Sequence, residues 1–170
     1  RLNPEAGISA AERLKTIDRE ELAGMLIENS DEPYAEEIAR TITGAIRRGE
    51  KAETTLQVRA LIEKALSFLP EKERKEAVKK ACARTFQALR IDVNSEFEVL
   101  YAFLDKLPHI LAPGGRAAIL TFHSGEDRMV KKSFRQYQKA GLYSQVAEEV
   151  IRPSAEECVR NSRARSTKLR

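Results

Sequence analysis

Apolar positions recur at helical intervals through the first 110 residues and change character near residue 113. Tyr34, Ile38, Ile42 and Ala45/Ile46 fall three to four apart, with Glu36, Glu37, Arg40 and Arg47 on the other faces and Gly49 following as a stop. Leu56, Leu61, Ile62, Ala65, Leu66 and Leu69 predict the buried side of a second helix ending at Pro70. A third, from about Glu71, starts highly charged and packs through Ala77, Val78, Ala81 and Thr85. A fourth, roughly 95–110, presents Phe97, Leu100, Tyr101, Leu104 and Leu107. Ser9-x-x-Glu12, Asp18-x-x-Glu21 and Thr54-x-x-Gln57 have capping-box spacing or a close relative of it.

Pro113, Gly114 and Gly115 then turn the chain into an almost uninterrupted apolar run at 117–122, the pattern of a parallel strand covered on both faces. His123, Ser124, Glu126, Asp127 and Arg128 follow at its carboxyl end, where open α/β sheets bind ligands. A helix is expected from Glu126 to about Ala140, stopped by Gly141. Leu142 to Ile151 is rich in β-formers and closes at Pro153. Ser154-x-x-Glu157 opens a short helical turn, and 164–169 reads as a last strand. About three strands are too few for a doubly wound sheet, so neighbours are expected from a partner chain or from more of a larger protein.

A chain of 170 residues with 42% apolar and 33% charged residues is long enough for one globular domain or a modest domain with an insertion. No apolar run reaches the length of a membrane span, and Arg1-Leu2-Asn3-Pro4 is unlike a signal peptide, so the expected location is the cytoplasm or an organelle interior. Cys82 and Cys158 lack metal-ligand spacing and read as reduced, buried thiols. The net charge of +4 is unevenly spread: residues 1–115 hold 18 Lys/Arg against 20 Asp/Glu, and residues 116–170 hold 12 against 6. Arg160, Arg163, Arg165, Lys168 and Arg170 crowd the end, which suits either phosphate contacts or a solvated basic tail.

The residues alone leave the chemistry open. His109, near a helix end, suits packing or the helix dipole. His123 directly follows the apolar run and is either structural or catalytic, and Ser124 with Asp127 three residues on resembles an N-cap. Arg84, Gln87, Arg90 and Asn94 share one helical face, as an ion-pair surface or a site wall. There is no nucleophile elbow, phosphate loop, dinucleotide fingerprint or metal cluster.

Four ordered segments carry a resemblance: Arg84-Thr-Phe-Gln-Ala-Leu-Arg-Ile-Asp-Val-Asn94, the run Pro113 to Lys131 with Phe-His-Ser-Gly-Glu-Asp-Arg128, Arg152-Pro-Ser154, and Asn161-Ser-Arg-Ala-Arg-Ser-Thr-Lys-Leu-Arg170. They resemble the small-subunit ribosomal RNA cytosine-N4 methyltransferase family, also called methyltransferase H. Arg1-Leu2-Asn3 looks like the end of that family's Asp-Met-Arg-Met-Asp segment, and Asp31 to Arg40 looks like its Gly-Glu-Glu helix. The resemblance implies an α/β fold: the carboxyl-terminal part of a Rossmann-like methyltransferase with a large α-helical insertion, the chain itself being mostly helical. The insertion would occupy 1–83 and the methyltransferase part 84–170, with the 117–122 strand central to a mixed sheet.

It also implies S-adenosylmethionine as cofactor, no metal, and ribosomal RNA in the small subunit as substrate and partner. The setting would be cytoplasmic and without membrane, and a homodimer is one option. Carried over residue by residue, His123, Ser124 and Asp127 would act on the substrate side, while Arg84, Gln87, Arg90, Asn94, Arg128, Arg163, Arg165 and Lys168 would meet RNA. Phe86 or Phe122 would either stack on an extruded base or pack in the core. Two departures stand out. The family's cofactor motifs, including its Gly-Gly-His loop, precede the point matching Arg1, so no residue here is assigned to the cofactor, and the chain is expected to be a piece of a longer protein or a truncated homologue. Gly125 stands where the family usually has Leu. A non-catalytic helical RNA-binding or ribosome-assembly module is the rival expectation.

Overall fold

The computed structural model describes residues 2, 3 and 5–170. Arg1 and Pro4, where the resemblance to the Asp-Met-Arg-Met-Asp segment and the predicted insertion begin, lie outside the described residues. The chain divides into two compact units, Arg1–Ser95 and Glu96–Arg170.

The first unit is helical: α1 (Ala10–Thr16), α2 (Arg19–Ser30), α3 (Ala35–Arg47), α4 (Thr55–Ala65) and α5 (Glu71–Val93). The caps form where the spacing predicts them. Ser9 and Thr54 accept from the backbone N–H groups of Glu12 and Gln57, whose side chains reach back, and Asp18 accepts from Glu21. Gly49 ends α3 at φ 84°, a left-handed conformation that favours glycine. Leu22, Leu26, Ile38, Ile42, Ile62 and Leu66 are fully buried, each contributing about 1.5–3 kcal/mol by removal from water. Leu56 departs from the expected apolar side at 76% exposure, because it sits in the first turn of α4. Arg13 of α1 ties the bundle together through Glu21 of α2 and Asp92 of α5. Helix α5 runs unbroken through positions 83 and 84.

The second unit packs α6 (Glu96–Ile110) on α7 (Ser124–Lys139) beside a short antiparallel ladder. Strand β1 (Leu120–Thr121) pairs with β2 (Lys168–Leu169) in the register Leu120↔Leu169 and Thr121↔Lys168. Ile151 makes one bridge to Leu169 on the other side of β2. Helix α8 (Ala155–Arg160), capped by Ser154 as the spacing predicts, leads into a 3-10 turn at Ser162–Ser166. Tyr137 pins α7 to α6 by donating to Asp105 Oδ1 at 2.6 Å, a bond that pushes its phenol pKa up to about 12. Among the described residues no helix is long and apolar enough to cross a membrane.

Several expectations change here. The 117–122 run is covered on one face only. Thr121 is buried and Ala117 and Ile119 are half-buried, while Leu120 and Phe122 are 52% and 51% exposed. A strand alternates its side chains, so Leu120 and Phe122 fall on the face opposite the buried Thr121, and among the described residues that face stays open. Leu142 to Ile151 forms no strand beyond the Ile151 bridge, and of 164–169 the expected last strand forms only at Lys168–Leu169, after the 3-10 turn that ends at Ser166. On α6, Leu104 and Leu107 are buried but Tyr101 is 68% exposed, because only one stripe of the helix meets α7. Cys82 and Cys158 are free and half-buried rather than fully buried, and burial pushes the Cys82 thiol pKa up.

Candidate functional site

The polar loop after β1 is organised by the start of α7. The helix begins at Ser124, and its N-cap is His123 rather than Ser124. His123 Nδ1 lies 3.5 Å from the backbone nitrogen of Glu126, whose Oε2 in turn accepts from the backbone N–H groups of Phe122 at 2.8 Å and His123 at 3.4 Å. This is a capping box with imidazole in place of the usual hydroxyl, because His-x-x-Glu has the same spacing as Ser-x-x-Glu and Nδ1 can accept.

Nδ1 faces that donor, which leaves Nε2 as the other ring nitrogen turned toward Glu126. Nε2 is buried without a hydrogen bond among the described residues, 3.4 Å from Glu126 Oε1. Phe97 of α6 backs the ring, with centroids 5.8 Å apart. Burial raises the Glu126 carboxyl pKa, but contact with His123 and the bonds from Phe122 and His123 outweigh it, leaving the group below its ordinary value. Glu96, His123 and Glu126 bring one possible ligand atom each to within 4.8 Å, although the sequence has no metal-ligand spacing.

Asp127, one residue on, is turned elsewhere. Its carboxylate receives Arg170 Nε at 2.6 Å and Lys168 Nζ at 3.1 Å, tying the start of α7 to β2 and the residue after it. The Arg170 guanidinium holds the carboxyl below its ordinary range, burial works against that, and Lys168 reinforces it. Gly125 leaves room for the Phe97 ring: a Cβ there would lie 2.6 Å from Phe97 Cζ and 3.2 Å from His123 Nδ1. Phe97 thus occupies the space that a larger residue would need.

Of the predicted residues, His123, Ser124, Asp127, Arg128 and Lys168 gather around the start of α7 in the second unit. Arg163 and Arg165 are exposed on the 3-10 turn. Arg84, Gln87, Arg90 and Asn94 belong to the first unit, where they have partners. Arg84 faces the fully buried Glu32 at 3.8 Å, and Gln87 donates to the Asn29 carbonyl. Asn94 bonds Leu2 and Arg90 across the end of α5. Burial raises the Glu32 pKa, while the Tyr34 N–H and Arg84 oppose the shift. Phe122 is half-exposed, and Phe86 packs against the first unit's core. Glu126 as the partner of His123 was legible in the His-x-x-Glu spacing. Glu96 and the Arg170 contact had no local sequence signal.

No Gly-rich turn after a parallel strand, the usual cradle for an adenosine cofactor, forms among the described residues. The ladder is antiparallel, and Gly114 and Gly115 precede β1 in a tight turn.

A sequence profile described as the MraW methylase family matches residues 1–170. A protein named "Ribosomal RNA small subunit methyltransferase H 1" from Lachnoclostridium phytofermentans is 69% identical over 170 residues, covering 100% of this chain and 46% of that protein. One of the same name from Agathobacter rectalis is 66% identical over 100% of this chain and 49% of its own length. A more distant relative from Anaeromyxobacter sp. (strain K), named "Ribosomal RNA small subunit methyltransferase H", is 39% identical over 98% of this chain and 57% of that protein. The chain spans about half the length of the curated relatives it matches. With the motifs of both units inside one match along its whole length, this chain belongs to the MraW methylase family.

Proposed function

We propose that this chain is the carboxyl-terminal part of a Rossmann-like, S-adenosylmethionine-dependent methyltransferase that modifies the N4 amine of a cytidine in small-subunit ribosomal RNA. The observation that carries this reading is the family match over all 170 residues, together with relatives named for small-subunit ribosomal RNA methylation. The helical segment 1–83 would be the insertion and 84–170 the return to the catalytic domain, working in the cytoplasm where ribosomes assemble. The described residues do not fit a cofactor cradle, so the donor's binding groups belong to the half of the relatives that this chain does not span. When bound, that donor would supply an electrophilic methyl.

The chain's own residues do the substrate-side work. The cytosine amine is a weak nucleophile and needs an acceptor that orients it and takes its proton. Glu126, ionised and held against the His123 ring, is the acceptor that this loop offers, with Ser124 exposed at the helix start beside it. Asp127, already saturated by Arg170 and Lys168, acts as a positioning residue that fixes α7 to the ladder. Arg163 and Arg165 are free to meet phosphates.

The test is a chimera in which this chain replaces the matching 170 residues of the Lachnoclostridium relative, assayed for tritiated methyl transfer to small ribosomal subunits. The chimera should methylate, and the isolated chain should bind S-adenosylmethionine weakly or not at all. His123→Asn, which keeps a good N-cap, should lower turnover about 100-fold with little change in stability. Unchanged turnover removes His123 from the site. A chimera that binds subunits without methylating them would instead support the assembly-module reading, which the excess of 12 Lys/Arg over 6 Asp/Glu in residues 116–170 also fits.

A further inference from the structure

From Arg128 to Ala147 the chain has five Lys/Arg and no Asp/Glu. Helix α7 places most of these cations on one side. Lys131, Lys132, Arg135 and Lys139, with Arg128 and Gln136, line a shallow basic depression about three turns long. Lys132, Arg135 and Lys139 are exposed and Lys131 is half-buried, and none of the four is ion-paired among the described residues. A stripe of like charges along a helix is costly unless an opposite charge covers it.

Lys131 and Arg135 also reach a second cavity of about 640 Å³, shared with Arg116 and Tyr143. The Tyr143 hydroxyl is itself buried without a hydrogen-bond partner among the described residues. Cations therefore line both depressions. The opposite side of α7 is spent on the core through Val130 and Phe134, so the helix keeps no apolar face to insert into a lipid surface. What the surface lacks is a chain of negative charges with hydrogen-bonding groups attached.

We propose that the basic face of α7, with the adjoining Arg116–Tyr143 cavity, is a docking surface for an RNA backbone, distinct from the loop at the start of the helix. The inference rests on the ribosomal-RNA reading above and adds where the RNA is held. Each phosphate taken up by a cation releases counterions, so affinity falls with salt by about 0.7 in log–log slope per single-strand contact.

The test is titration of the 170-residue chain with a fluorescein-labelled 16-nucleotide single-stranded RNA of mixed sequence at several KCl concentrations. Lys131→Glu/Lys132→Glu/Arg135→Glu/Lys139→Glu should weaken binding at least about 30-fold and reduce the salt slope by about 2. The same four changed to Gln should do so in smaller measure, which protects the test if charge reversal disturbs folding as read by circular dichroism. A control reverses four exposed lysines of the first unit, Lys72, Lys75, Lys79 and Lys80, and should bind nearly as the parent does.

Equal loss in the control would mean that net charge alone governs binding and would overturn the inference. Wild-type affinity in both α7 variants would overturn it too. So would phosphatidylserine vesicles that bind the parent as tightly as RNA and lose binding to the same variants, since the partner would then be a membrane. No RNA binding by the parent chain likewise overturns the docking surface. The methyltransferase reading is judged separately, by methyl transfer in the chimera.

Discussion

The two units solve the problem of burying apolar residues differently. In the first, side chains from all five helices close on one another. Leu22, Leu26, Ile38, Ile42, Ile62 and Leu66 are all at 0% exposure. In the second, the buried core is Leu104, Leu107, Val130 and Phe134, while Val99, Tyr101, Ile110, Leu120 and Phe122 stand exposed on α6 and around β1. A helical bundle can close on itself because each helix needs only one covered stripe, whereas an apolar strand needs a layer on each face. The second unit therefore relies more on polar fasteners, chiefly the Asp127 pairs with Arg170 and Lys168.

The contrast can be broken from either side. Leu26→Ala should remove about 3–5 kcal/mol from the first unit, because a closed core leaves a cavity. Leu104→Ala in the second should cost nearer about 2 kcal/mol, since an open site relaxes more readily; urea titration followed by hydrogen exchange in each unit would separate the two. Equal losses would mean that the second core is as tightly closed as the first.

Asp127→Ala should cost about 3 kcal/mol and loosen β1–β2 selectively, because Arg170 and Lys168 are left as partly buried, unpaired cations. The pH dependence has a definite sign. The folded carboxyl lies below its unfolded value of about 3.9, so the pairing contributes fully above about pH 4 and is lost as pH falls through the folded pKa. Exchange protection at Ile119 and Arg170 should fall first on acidification, and a ladder that persists unchanged at pH 2 would contradict this.

Gly125→Ala should cost about 1–2 kcal/mol despite better helix propensity, because its methyl meets Phe97. Combining it with Phe97→Ala should recover at least about 0.5 kcal/mol relative to additivity in a double-mutant cycle. The smallest effect is His123→Ala, about 1 kcal/mol for a lost cap, which His123→Asn should largely restore in thermal melts. His123→Ala in an activity assay therefore mixes a helix-start effect with any chemical one, which makes Asn the cleaner probe.

The bundle was legible at short range. Caps at Ser9, Asp18 and Thr54 and the period through Tyr34, Ile38 and Ile42 depend on residues within one or two turns, and the helices form where they place them. The loop after β1 was half legible. Its polar residues stood out after an apolar run, but two acceptors competed for the helix cap, and the one whose partner is Glu126 won. Spacing could not show that Asp127 is held from 41 and 43 residues away, or that Arg84 turns to a buried Glu32 in the first unit.

Membership of the methylase family, the helical character of the first unit and the concentration of positive charge after residue 115 were determined by the sequence alone, because motifs, helical periodicity and charge counts are local or additive. Tertiary structure alone decided which face of 117–122 is covered, that Phe97 fills the space at Gly125, and that the cation-bearing side of α7 is left open. Each of those depends on what a distant element places against a residue, and on how much room it leaves.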